Sequence, residues 1–102
     1  MAATIREITS AELDDVIKEG KVLVEFYSKT CGPCKMLSFV LKDVAKTVDG
    51  VEIVTLDFDV NKDAVEKYNV AGYPTMIVFN NGQEVTRTKG LQQKPKIIEM
   101  LS

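Results

Sequence analysis

Cys31-Gly32-Pro33-Cys34 uses both cysteines of the chain and separates them by two residues. If that stretch opens a helix, the two thiols come within disulfide distance on its first turn. The pair can then close and open with little backbone movement. Gly32 leaves room for a partner chain to approach, and Pro33 has a φ preset for a first helical turn, where its missing N–H costs nothing. Free N–H groups and the positive end of the helix dipole favour a thiolate at Cys31, lowering a pKa that is about 8.5 in free cysteine. Only the thiolate attacks disulfides, and Cys34 sits one turn further in, where it is shielded. Cys31 is therefore expected to attack, and Cys34 to resolve the mixed disulfide that results.

Two blander uses of the pair compete with exchange. A static disulfide would close only a four-residue loop and so constrain the unfolded chain very little. Structural zinc normally takes four protein ligands, whereas the chain has two cysteines and no histidine, so a metal could be held only between two chains. Met1-Ala2-Ala3-Thr4-Ile5-Arg6-Glu7 has no basic start followed by an apolar run, and no segment approaches the ~20 apolar residues that cross a bilayer. A cytoplasmic location away from membranes is expected. There, a lone Cys-x-x-Cys among α/β elements is more often catalytic than structural.

The 102 residues, 45% of them hydrophobic, suit one globular domain spanning 1–102. Thirteen basic and fifteen acidic residues are spread along the chain for a net charge of -2. That distribution leaves no footprint for nucleic acid and no polybasic membrane anchor, so the partners are expected to be other proteins.

Taken in order, Thr4 to Ile8 predicts a short edge strand. Thr9-Ser10-Ala11-Glu12 has the form of a capping box leading into a helix through Leu13, Val16 and Ile17 that Gly20 stops. Lys21 to Tyr27 is a nearly continuous apolar run of the kind buried on both faces of a sheet. From Pro33 to about Val48 the apolar residues Leu37, Val40, Leu41, Val44 and Val48 recur at helical spacing. Val51 to Phe58 predicts another strand, Asn61 to Tyr68 a short helix, and Met76 to Phe79 a strand that meets Asn80-Asn81-Gly82, a hairpin turn returning through Glu84 to Thr88. Lys94 to Leu101 predicts a last helix with Pro95 in its first turn.

Glu25 interrupts the apolar run. A carboxylate there costs several kcal/mol if charged and unpaired, so it is partly hydrated, protonated with a raised pKa, or paired with a lysine. Its place six residues before Cys31, at the strand end feeding the reactive helix, favours a proton-handling role.

Cys31-Gly32-Pro33-Cys34-Lys35-Met36 after an apolar strand and Gly72-Tyr73-Pro74-Thr75 before a hairpin, followed by Asn81-Gly82 and Gly90, make the chain resemble the thioredoxin family from end to end. The resemblance implies an α/β fold with a central mixed sheet of about five strands flanked by four helices. It also implies reversible dithiol exchange that reduces protein disulfides, with a reductase re-reducing the pair. No separate cofactor is implied, because the Cys31–Cys34 disulfide is itself the redox group, and the protein is expected to act as a monomer. A cis Tyr73–Pro74 bond beside the cysteines is implied as well. Gly72, Tyr73, Pro74, Gly90 and Leu91 would join Gly32 and Pro33 as a docking surface for an extended substrate segment.

The chain departs from the family in several places. Thr30 and Tyr27 stand where tryptophans are usual, which bears on partner choice. Glu25 replaces a buried aspartate, and Phe39 replaces a helix-kinking proline. Thr55 stands where a lysine often accompanies the buried carboxylate, which favours a raised pKa at Glu25. The alternatives to a general disulfide reductase are a dedicated electron donor to one enzyme, a disulfide oxidant or isomerase, and a non-enzymatic dimer holding a metal or iron–sulfur cluster.

Overall fold

A computed structural model describes residues 3–102. Met1 and Ala2, with which the N-terminal segment weighed above begins, lie outside the described residues. Among the described residues five strands and four helices follow in the order β1 (Thr4–Glu7), α1 (Ser10–Val16), β2 (Lys21–Tyr27), α2 (Gly32–Thr47), β3 (Val51–Asp57), α3 (Lys62–Lys67), β4 (Thr75–Asn80), β5 (Gln83–Lys89) and α4 (Lys94–Met100). The strands form one sheet in the order β1-β3-β2-β4-β5. β3 runs parallel to both β1 and β2, whereas β4 is antiparallel to β2 and β5. This is the mixed sheet that the resemblance implied.

β2 lies at the centre because its side chains suit burial on both faces. Val22, Val24 and Phe26 join Leu13, Ile17, Ala64, Ile77 and Phe79 in one core, beneath α1 and α3. Leu23 joins Leu37, Leu41, Val44, Met76, Val78 and Ile97 in the other, beneath α2 and α4. Alternation along a strand puts Glu25 on the same face as Leu23, hence under α2. Leu37 is fully buried where α2 meets the sheet. Leu37→Ala is expected to lower stability by about 2–5 kcal/mol, read as a drop in the denaturation midpoint. A change below ~1 kcal/mol would mean that the helix is not anchored there.

The ends of elements depart modestly from the periodicity. Glu12 accepts the Thr9 N–H at 3.1 Å, as a capping box requires, but α1 ends at Val16 rather than at Gly20. Residues 17–20 form turns, closing on Gly20 at φ +74°. Asn81 fixes that corner: its Oδ1 accepts the Gly20 N–H at 2.8 Å and its own N–H donates to Gly20 O at 2.9 Å. Asn81 and Gly82 have φ of +51° and +85°, which fits the tight hairpin turn read from Asn-Gly. Phe58 falls just outside β3, although its N–H still donates to Tyr27 O at 2.7 Å. α2 is unbroken through Phe39, as expected where proline is missing.

Candidate active site

β2 delivers the chain to the site, and a polar loop turns it into α2. Ser28 is buried and donates from Oγ to Asp59 Oδ2 at 2.8 Å. Its Oγ lies 3.3 Å from Thr30 Oγ1, and its carbonyl accepts the Cys31 N–H at 3.3 Å. Asp57, also buried, accepts the Asp59 N–H at 2.9 Å and lies 3.8 Å from Lys29 Nζ. Asn61 Nδ2 completes the tie by donating to Asp57 O at 2.9 Å. Sequence reasoning missed Ser28, Asp57, Asp59 and Asn61. Their signal was small polar residues at the ends of two neighbouring buried strands.

Cys31 is the N-cap of α2, with an extended backbone, and its Sγ accepts the Cys34 N–H at 3.0 Å. Pro33 occupies the first turn, as its fixed φ favours. The cysteines are joined in a disulfide with their Cα atoms 5.2 Å apart. Cys31 is half-buried, whereas Cys34 is only 4% exposed and faces inward. Gly32 and Pro33 stand in solvent beside them.

Beside the pair lies a cavity of about 300 Å³ lined by Glu25, Tyr27, Ser28, Lys29, Cys31, Cys34, Lys35, Ser38 and Thr55. Glu25 is 2% exposed, and its Oε2 has no hydrogen-bond partner among the described residues. Burial alone pushes its carboxyl up to about 7. No lysine pairs with it among the described residues, which removes one of the three states open to it. Thr55 is opposite Glu25 in the sheet register and offers no cation.

The second loop arrives at the same edge of the sheet. Thr75, the first residue of β4, pairs with Phe26 near the end of β2, and with Lys89 at the end of β5. Residues 72–74 and 90–91 therefore sit at the edge that leads into Cys31. The Tyr73–Pro74 bond is cis, as the resemblance implied. Pro74 is buried and its carbonyl accepts the Gly90 N–H at 2.7 Å. Gly90 has φ +91°, a left-handed conformation that other residues adopt only with strain. A Cβ on Gly72 would come within 3.1 Å of Lys89 Cε. Tyr73 is 41% exposed and meets the edge of Phe58 with ring centroids 5.1 Å apart. Leu91 is less open than Tyr73, because it packs against the core under α2 and α4.

A buried carboxyl, a shielded sulfur and a more accessible sulfur at a helix N-cap line one cavity. The family model described as Thioredoxin matches residues 4–102. A thioredoxin of Staphylococcus aureus is 40% identical over 98 residues, covering 95% of this chain and 94% of its own. Among solved structures, a mutant thioredoxin from Halobacterium salinarum NRC-1 superposes with a TM-score of 0.84 at 30% identity, over 98% of this chain and 88% of its own. Oxidised mitochondrial thioredoxin 3 from Saccharomyces cerevisiae gives 0.87 at 26% identity, over 95% of this chain and 92% of its own. With the Cys-Gly-Pro-Cys helix start, the mixed sheet and a family match from β1 to the last residue, the chain belongs to the thioredoxin family.

Proposed function

We propose that the chain is a thiol–disulfide oxidoreductase that reduces disulfides in other proteins. The Cys31 thiolate attacks a target disulfide, forming a mixed disulfide and releasing one target thiolate. Cys34 then gives its proton to Glu25 and attacks Cys31 Sγ, releasing the second target thiolate and leaving the Cys31–Cys34 disulfide. The target gains two electrons and the cysteine pair loses them, so the pair serves as its own redox group. A reductase returns the electrons. The observation that carries this assignment is the Cys34 N–H aimed at Cys31 Sγ at 3.0 Å, a donor suited to holding negative charge on that sulfur.

Gly32, Pro33, Gly72, Tyr73, Pro74, Gly90 and Leu91 are the proposed contact surface for the target's extended segment. Among the described residues no helix is long and apolar enough to cross a membrane. A disulfide reductant must work where thiols are kept reduced, so we place it in the cytoplasm, acting as a monomer. The test is reduction of insulin by the purified protein with a panel of candidate reductases. Turnover by a colourless, metal-free monomer supports the assignment, whereas metal bound per dimer without thiol turnover overturns it.

Thr30 is exposed on the loop that Ser28 pins, next to Cys31. Thr30→Trp adds an aromatic docking contact without touching either sulfur. It is expected to shift reductase preference through KM by about 5-fold, the equivalent of ~1 kcal/mol. A dominant change in kcat would instead place Thr30 in the exchange step.

A further inference from the structure

From Lys35, which also borders the cavity at Glu25, the outward face of α2 carries a pattern that runs away from the exchange site. Lys35, Phe39, Lys42 and Lys46 follow one another at intervals of four, three and four, which sets them along one stripe, opposite the buried Leu37, Leu41 and Val44. All four are exposed, Phe39 at 56%, and Met36 beside them is 57% exposed. Lys42 Nζ lies 5.5 Å from the centroid of the Phe39 ring. Among the described residues Lys35, Lys42 and Lys46 enter no salt bridge. Asp43, the helix's one acid, lies 3.4 Å from Lys94. Three lysines that enter no salt bridge among the described residues, one of them lying over the ring itself, thus accompany an exposed aromatic side chain over about 16 Å of helix, on a chain whose net charge is -2.

Scattered exposed apolar residues are ordinary, but Met36 and Phe39 stand one turn apart with Lys35 and Lys42 on the same turns, and the acid beside them, Asp43, is already engaged by Lys94. The stripe starts one residue beyond Cys34. A protein seated over Cys31 already covers its first turn and can continue down it.

We propose that this stripe docks an acidic segment with an apolar face, on the proteins that exchange disulfides with Cys31. The assignment rests on the exchange function proposed above. Carboxylates meet Lys35, Lys42 and Lys46, and an aliphatic or aromatic side chain covers Phe39 and Met36. Attraction of this kind speeds encounter and selects partners, and salt weakens it.

Two synthetic peptides test it, with the same disulfide but with a tail of alternating glutamate and leucine in one and of lysine and leucine in the other. At low salt the reduced protein should favour the acidic peptide by roughly 10-fold in kcat/KM, and at ~0.3 M salt by less than about 2-fold. Lys42→Glu with Lys46→Glu should abolish or reverse the preference, leaving the rate on a tail-less peptide unchanged. Phe39→Ala should raise KM for the acidic peptide alone, by about 3- to 5-fold. Equal rates on the two peptides, or a preference that survives in the double variant, would overturn the inference. So would sedimentation with phosphatidylglycerol vesicles without peptide preference, which would assign the stripe to a lipid surface. Amide shifts at Lys42 and Lys46 on adding an acidic peptide that lacks a disulfide separate the two proposals. Shifts without reduction of any peptide retain the docking surface and discard the exchange function, and neither shifts nor reduction discards both.

Discussion

Cys34→Ser is expected to leave a protein that attacks a disulfide once and then stalls, covalently joined to its target through Cys31. Cys31 stays half-buried at the helix N-cap, and the N–H of residue 34 still points at its sulfur in the variant, because that donor belongs to the backbone. The first step therefore survives. Resolution does not, since a serine hydroxyl cannot displace the target thiolate. Only an external thiol can then release the adduct. A well-placed internal thiol has an effective molarity of roughly 10⁵ M or more, against an external thiol at ~1 mM, so resolution should slow by about 10⁸-fold and turnover, which resolution then limits, should all but vanish. Mass spectrometry after mixing with a disulfide substrate should find the adduct on Cys31. Cys31→Ser should form none, because Cys34 is only 4% exposed. Stable adducts through Cys34 in that variant would reverse the two roles.

Much of this arrangement could be read from residue types and spacing, and the reason is local. The five consecutive buried residues of β2 declared a central strand, and the spacing of Leu37, Leu41 and Val44 declared which side of α2 meets the sheet. Asn-Gly and Cys-Gly-Pro-Cys each encode a conformation within four residues. Local signals were weaker at element ends. α1 stops short of Gly20 because that corner is held by Asn81, 61 residues away. The loop before Cys31 was opaque for the same reason, since Ser28 finds Asp59 across 31 residues and only the fold brings them together. The cis bond at Pro74 had no signal of its own and followed only from the family resemblance.

Glu25 marks the limit most clearly. Its place in an apolar run announced an anomaly, but whether it would be hydrated, protonated or paired depended on what stood opposite and above it. Thr55 opposite offers no cation, and the lysines lining the same cavity, Lys29 and Lys35, enter no ion pair with Glu25 among the described residues, so desolvation is left unopposed. Thr55, where the family often keeps a lysine, leaves Glu25 without a cation on the neighbouring strand.

Glu25→Gln should separate the two steps of exchange. The carboxyl is proposed to take the proton from Cys34, directly or through water in the cavity they share, when that thiol attacks the mixed disulfide. Cys31 needs no such base, because its charge is held at the helix N-cap. Glutamine keeps the shape but accepts no proton. Initial attack should be nearly unchanged, while resolution slows by roughly 10- to 1,000-fold at neutral pH, as loss of a general base does. With the carboxyl pushed up to about 7, resolution in the unaltered protein should quicken as pH rises through that value, and the variant should lose the inflection. Stability gives a second, independent readout. A carboxyl with a usual value of 4.5 and a folded value of about 7 keeps its proton in the fold where the unfolded chain has lost it. Its contribution is present in full below pH 4.5 and is lost as pH rises through about 7, on the order of 3 kcal/mol in all. The glutamine variant should therefore match the unaltered protein at pH 4 and exceed it by about that amount at pH 8, measured by chemical denaturation of the oxidised form. Stopped-flow traces in which attack and resolution slow equally, or neither slows, would leave Glu25 a structural residue. A stability difference that does not change with pH would mean that its carboxyl is not held neutral by burial.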